Sequence, residues 1–183
     1  MLSALSRLIL KIFGWKLEGA YPHHLKKSLV IVAPHTSNWD FIVGVLFRSA
    51  LKVKAYYLGK AELFKPPFGF IFRWLGGYPV NRSTSQNMVD EVVQLFNSKE
   101  TFSIALSPEG TRKRVDKLRT GFYYIAKQAK VPIVMAALDF ENKKAIFAEP
   151  FFTTDNQEAD FEHILKFFRP IKGKRPELGL SHL

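Results

Sequence analysis

The 183-residue chain has no cysteine, which excludes disulfides, thiolate metal sites and cysteine nucleophiles and accords with a reducing compartment. It has no apolar run of bilayer-crossing length: the best, Phe41 to Phe47 and Val131 to Leu138, stop at seven and eight residues. Acidic residues are scarce, with sixteen Asp+Glu against twenty-seven Lys+Arg, so the formal net charge is +11 and polyanionic partners are favoured. Residues 1 to 80 hold eleven basic and only three acidic side chains, and that positive part is also the more apolar one. Low-complexity tracts, internal repeats and domain linkers are missing as well, and 47% hydrophobic with 23% charged residues is the mix of a packed globular chain. The length suits one core, so a single domain is expected.

The amino-terminal segment is periodic. Leu2, Leu5, Leu8, Ile9, Ile12, Phe13 and Trp15 recur at three- and four-residue steps, with Arg7, Lys11 and Lys16 between them. This predicts a basic amphipathic helix ending near Gly14, suited either to a bilayer interface or to docking on the chain's own core. No small-residue cleavage site follows it, so a secretion signal is not expected and the cytosolic side is the default.

Beyond it, strands and helices alternate. Strands are predicted at 28–33, 55–58, 78–81, 102–106, 132–138 and 145–147, and helices at 39–51, from 84 or 85 to about 96, at 122–130 and at 161–168. The stretch 65–77, broken by Pro-Pro and Gly-Gly and rich in Phe and Trp, resists assignment. The alternation predicts an α/β fold with a mixed, mostly parallel sheet flanked by helices. The chain divides into an amphipathic helix (1–18), the α/β domain (19–170) and a basic, loosely held tail (171–183).

In such sheets ligands gather where strands end and helices begin. The first such loop runs from His35 to Asp40. A histidine at a strand end, with a carboxylate five residues on in the first helical turn, allows that carboxylate to meet imidazole Nδ1 and leaves Nε2 free as a base. No enzyme nucleophile accompanies the pair, so the attacking group would come from the substrate, which means transfer. The bland alternative is a helix-start Asp40 beside a solvated His35. The second loop is Ser107-Pro108-Glu109-Gly110-Thr111-Arg112. Gly110 lets backbone approach a ligand, Thr111 donates, and the Arg112 fork suits phosphate, while Glu109 could accept from a substrate hydroxyl or orient a neighbouring base. Lys60 and Arg82, at two further loop starts, are possible companions.

Taken in order, these segments resemble the motif set of the glycerolipid acyltransferase family, the lysophosphatidate (1-acyl-glycerol-3-phosphate) acyltransferases and their relatives. His35 and Asp40 resemble its His-X4-Asp pair, and Gly59-Lys60 through Tyr78-Pro79-Val80-Asn81-Arg82 is similar to its second block. Ser107 to Arg112 resembles its Phe-Pro-Glu-Gly-Thr-Arg block, and Val131-Pro132-Ile133 its final Val-Pro block. Ser107 departs from the usual Phe, Asn81 falls at a variable position, and the membrane-spanning segments of many relatives are missing.

The resemblance implies a glycerol-3-phosphate acyltransferase-like fold and an acyl thioester, on coenzyme A or acyl carrier protein, attacked by an acceptor hydroxyl that His35 deprotonates. Asp40 would fix the tautomer, backbone N–H groups at the start of the helix after Asn38 would hold the oxyanion, and Glu109, Gly110, Thr111 and Arg112 the acceptor head, with Arg82 and Lys60 on its phosphate. The implied acceptor is a lysophospholipid, foremost 1-acyl-glycerol-3-phosphate, or alternatively a lyso-aminolipid of the ornithine or glycine lipid type. A non-catalytic peripheral lipid-binding protein is the rival reading. No cofactor or metal is called for; His23-His24 reads as a polar turn. The expected partners are the anionic inner face of the cell membrane and the two substrates. Nucleic acid is not among them, because the aromatics sit in apolar runs instead of interleaving with Lys and Arg and no reader motif appears.

Overall fold

A computed structural model describes residues 2–80 and 85–183, with Lys60 and residues 85–87 described through their backbone alone. The strands are β1 (Lys16–Glu18), β2 (Lys27–Ala33), β3 (Ala55–Lys60), β4 (Gly77–Val80), β5 (Phe102–Leu106), β6 (Ile133–Asp139) and β7 (Lys144–Phe147). The helices are α1 (Leu2–Ile12), α2 (Asn38–Ala50), α3 (Gly69–Trp74), α4 (Ser85–Ser98), α5 (Gly121–Ala129) and α6 (Gln157–Phe168). The strands form one sheet in the order β1-β7-β6-β2-β5-β3-β4, parallel throughout except for the β6–β7 hairpin. This is the mostly parallel α/β architecture that the alternation predicts.

Strands β2 and β6 are apolar at almost every position because both faces of the sheet centre are covered. Along β6, Ile133, Met135 and Ala137 join Leu29, Ile31 and Ile104 under α4, α5 and α6, where Val92, Phe96, Ile125, Ile164 and Phe168 close the main core. The alternate residues turn the other way, Val134 and Ala136 packing with Val30 and Leu138 meeting Leu10, Val43 and Phe47 of α1 and α2. Each such large aliphatic side chain taken fully out of water contributes about 1.5–3 kcal/mol. Parallel pairing sends the ends of β2, β3, β4, β5 and β6 to one edge, where the loops bearing His35 and Glu109 meet.

Three expectations need correction. Helix α1 stops at Ile12, and residues 16–18 form an edge strand paired with β7 through Lys16, Leu17 and Glu18. The 65–77 stretch contains α3, a short helix that the flanking Pro and Gly pairs hide. The tail is not loose: Leu180 is fully buried in the main core, Ile171 beside it, and the Arg169 guanidinium donates to the backbone oxygen of Leu183. A helix pattern cannot announce this, since single apolar residues among Gly, Lys and Pro show no periodicity.

Helix α1 docks on the core by one face only. Ser6 and Leu10 pack inward, whereas Leu2, Leu5, Leu8, Ile12 and Phe13 remain exposed. Trp39, Phe41 and Ile42 on α2 and Phe70, Ile71 and Trp74 on α3 are exposed too, and Arg48 of α2 donates to Leu75 O at the end of α3, tying the two helices together. No helix among the described residues is long and apolar enough to cross a membrane.

Candidate active site

The site is built at the end of β2. After a cis Ala33–Pro34 bond the chain leaves the sheet, and Ser37 caps α2 in extended conformation. Its Oγ accepts from Trp39 N–H at 3.3 Å, and Asp40 reaches back to accept from Ser37 N–H at 2.8 Å, which completes a capping box. The same Oδ2 accepts from Thr36 N–H at 2.7 Å and lies 3.1 Å from His35 Nδ1. One carboxylate thus closes the helix start and holds the imidazole. Both jobs follow from its place in the first turn, where the helix N-terminus favours negative charge.

Asp40 is buried, whereas the His35 side chain is 25% exposed. With Nδ1 donating to Asp40, Nε2 carries the lone pair and has no hydrogen-bond partner among the described residues. The arrangement supplies a fixed, solvent-reachable base. The bland alternative of an unconnected Asp40 and a solvated His35 is not what the structure contains.

The loop after β5 approaches from the neighbouring strand. Glu109 is buried and turns inward: Oε1 accepts from His35 backbone N–H at 2.8 Å and Oε2 from Ser107 Oγ–H at 2.8 Å. Burial pushes its carboxyl above the ordinary value, against the opposing pull of those two donors. Glu109 therefore bonds the backbone of the histidine loop, and both of its carboxylate oxygens are engaged inside the protein and do not face solvent. Ser107, noted in the sequence only as a departure from the usual Phe, is the missed residue: its Oγ also accepts from Glu109 N–H at 3.2 Å. The visible signal was a hydroxyl where the resemblance has a Phe, two residues before a carboxylate.

Gly110, at φ 67°, lies in the left-handed region that favours glycine, and turns the chain outward. Arg112 follows it on the surface, and Thr111 is half-buried. The loop is closed behind them by Arg119 N–H on Pro108 O at 2.8 Å. Lys60 ends β3 at the same sheet edge, its backbone paired with Val80. Arg82 and Asn81 lie outside the described residues. The structure thus brings His35, Asp40 and Glu109 into one bonded cluster and leaves Gly110, Thr111 and Arg112 at its rim.

The expected oxyanion donors are otherwise engaged. Trp39 N–H donates to Ser37 Oγ and Asp40 N–H to Ser37 O, so these first-turn groups serve the cap.

No curated protein matches the chain by sequence. Among solved structures, that of the 1-acyl-sn-glycerophosphate (LPA) acyltransferase PlsC from Thermotoga maritima is similar in fold, with a TM-score of 0.62 at 16% identity over 91% of this chain and 74% of that one. The family described as Acyltransferase matches residues 16–139, a span that contains His35, Asp40, Lys60, Arg82 and the Glu109–Arg112 loop. Because that match spans more than half of the chain, the chain belongs to the acyltransferase family.

Proposed function

We infer that the protein moves a fatty acyl group from an acyl thioester, on coenzyme A or acyl carrier protein, to the hydroxyl of a lysophospholipid-type acceptor, foremost 1-acyl-glycerol-3-phosphate, giving phosphatidate. The observation that carries this reading is the His35 Nδ1–Asp40 Oδ2 contact of 3.1 Å with Nε2 left open. Nε2 takes the acceptor's hydroxyl proton as that oxygen attacks the thioester carbonyl carbon. The tetrahedral intermediate then expels the carrier sulfur, which leaves as free thiol after receiving the proton from the imidazolium. Asp40 offsets the transient positive charge and holds the tautomer. A base so placed is worth about a hundred- to ten-thousand-fold, and the remainder comes from alignment of the two substrates.

Arg112 at the rim, with Lys60 at the end of β3 and Arg82 as a further candidate from the sequence, suits the acceptor's phosphate, since guanidinium and ammonium groups bind such oxygens by charge-assisted hydrogen bonds. The exposed apolar residues of α1, α2 and α3, with Arg7 and Lys11 on α1, support peripheral attachment to an anionic membrane at its cytosolic face.

Thiol release from an acyl thioester, measured with and without 1-acyl-glycerol-3-phosphate, tests the proposal. Release that depends on the acceptor, with phosphatidate formed in equal amount, is the expected result. Acceptor-independent release would mean a thioesterase, and no release at all a lipid-binding protein.

A further inference from the structure

The carboxy-terminal tail crosses the same sheet edge as the site. Phe140, just past β6, donates its N–H to Lys172 O at 2.9 Å. Gly173 then passes so close to the histidine loop that a Cβ there would lie 2.7 Å from Thr36 Oγ1 and 3.3 Å from Pro34 Cγ, which explains the glycine. Arg175 N–H donates to Thr36 Oγ1 at 3.1 Å, and Thr36 is buried directly after His35. Residues 172–175 therefore form a strap from the end of β6 to the loop after β2, anchored on either side by buried Ile171 and Leu180.

Its position is the informative feature. In the order β6-β2-β5-β3-β4, Arg112 follows β5 and Lys60 ends β3, both on the β5 side of β2. The strap brings Lys174 and Arg175 to the β6 side, directly against the loop that carries His35. Lys172 is matched by Glu141 at 2.7 Å, but Lys174 and Arg175 are exposed and have no ion-pair partner among the described residues. Lys174 Nζ sits 5.9 Å from the Phe140 ring centroid, and Glu177 follows in the next turn. Backbone held and charges outward is the arrangement of a recognition element, because the ordering cost is already met by the fold.

Transfer between two substrates needs a place for each on either side of the base. We propose that Lys174 and Arg175 bind the phosphate groups of the thioester donor's carrier, coenzyme A or a phosphopantetheine arm, on the β6 side of His35, opposite the acceptor. This rests on the acyl-transfer reading above. The Arg175 fork engages phosphate oxygens in pairs and Lys174 adds a point charge.

The test uses the full chain with three donors of one acyl length: acyl-coenzyme A, acyl-phosphopantetheine and phosphate-free acyl-pantetheine. In K174E/R175E the KM for phosphorylated donors should rise about ten-fold or more. The KM for acyl-pantetheine, the acceptor KM and kcat should stay as in the parent. A rise for both phosphorylated donors places the contact on the arm's phosphate, and a rise for acyl-coenzyme A alone on the nucleotide's phosphates; either supports the proposal. An unchanged donor KM, an equal rise for acyl-pantetheine, or a raised acceptor KM overturns it. K174Q/R175Q should show the same selectivity at smaller amplitude, which covers a failure of the acidic pair to fold. If the parent releases no thiol with any donor, the transfer reading fails by itself. Calorimetric binding of coenzyme A to parent and K174Q/R175Q, which needs no turnover, then decides the strap's role: weaker binding in the variant supports it and equal or absent binding refutes it.

Discussion

The loops after β2 and β5 meet at one point yet spend their polar groups in opposite ways. The first is self-contained: Asp40 takes donors from Thr36, Ser37 and His35, all within five residues. The second divides in two. Ser107 and Glu109 point inward to brace a residue 74 positions away, while Gly110 to Arg112 face outward with their charge uncommitted. On the proposed reading the difference separates the part that would do chemistry, which must not move, from the part that would meet a ligand, which gains by keeping its donors free. Substitutions in each loop should therefore fail in different ways.

The largest effect is expected from His35→Ala. It removes the base at a partly exposed position outside the core, so transfer should be lost while the thermal melt stays close to that of the parent. Undiminished turnover in the purified variant would refute the mechanism. Next comes Asp40→Asn. The amide oxygen can still accept from Thr36 and Ser37 N–H, so the cap survives, but the imidazole loses the anion that fixes its tautomer. A fall in kcat of about a hundred-fold or more, with acceptor KM little changed, is expected. Asp40→Ala should in addition lose about 1 kcal/mol of stability by opening the capping box, which denaturant melts would read. An Asp40→Asn protein as active as the parent would make the pair incidental.

How legible each loop was follows from the same contrast. Ser37, Asp40 and His35 are neighbours in sequence, and a polar cap followed three residues later by an acid before an apolar helix is a local signal. Their geometry could be anticipated without knowing the fold. Glu109's partner could not, because the bond to His35 N–H depends on β2 and β5 being adjacent and in the register Ile31 with Leu106. Composition alone left two equal uses for its carboxylate. The strap was hidden for a related reason: Gly173 and Leu180 acquire meaning only from Thr36 and from a core assembled by distant strands. Strands β2 to β7 were readable from their apolar runs, to within one or two residues at each end, whereas β1 was read into the amino-terminal helix and the Phe-rich 65–77 stretch has no period to read.

In the outward half of the β5 loop, Arg112→Ala should act on recognition. Its guanidinium is exposed and the loop is closed behind it by Arg119 N–H on Pro108 O, so neither fold nor base should suffer. The expected outcome is an acceptor KM raised about ten-fold, the scale of one charge-assisted hydrogen bond to phosphate, with kcat within a few-fold of the parent. An unchanged acceptor KM would remove Arg112 from the acceptor site, and a fall in kcat alone would mean that the outward half is part of the catalytic frame after all.

The smallest effect is expected from Glu109→Gln, in the inward half. The glutamine oxygen can still accept from His35 N–H and its amide can meet Ser107 Oγ, so the brace persists and only the charge goes. Burial raises the Glu109 carboxyl above its ordinary value, the His35 and Ser107 donors opposing, with Asp40 adding a lesser push. A carboxyl so raised holds its proton more tightly in the folded chain than in the unfolded one. Its stabilising contribution is complete below the ordinary carboxylate value and is lost as pH climbs through the raised one. Relative to Glu109→Gln, the parent should therefore lose melting temperature as pH rises across that window and draw level on the acid side. A gap that widened toward acid instead would mean that the ionised carboxylate stabilises the brace, and Glu109 would then belong with Asp40 as a fixed anion of the site.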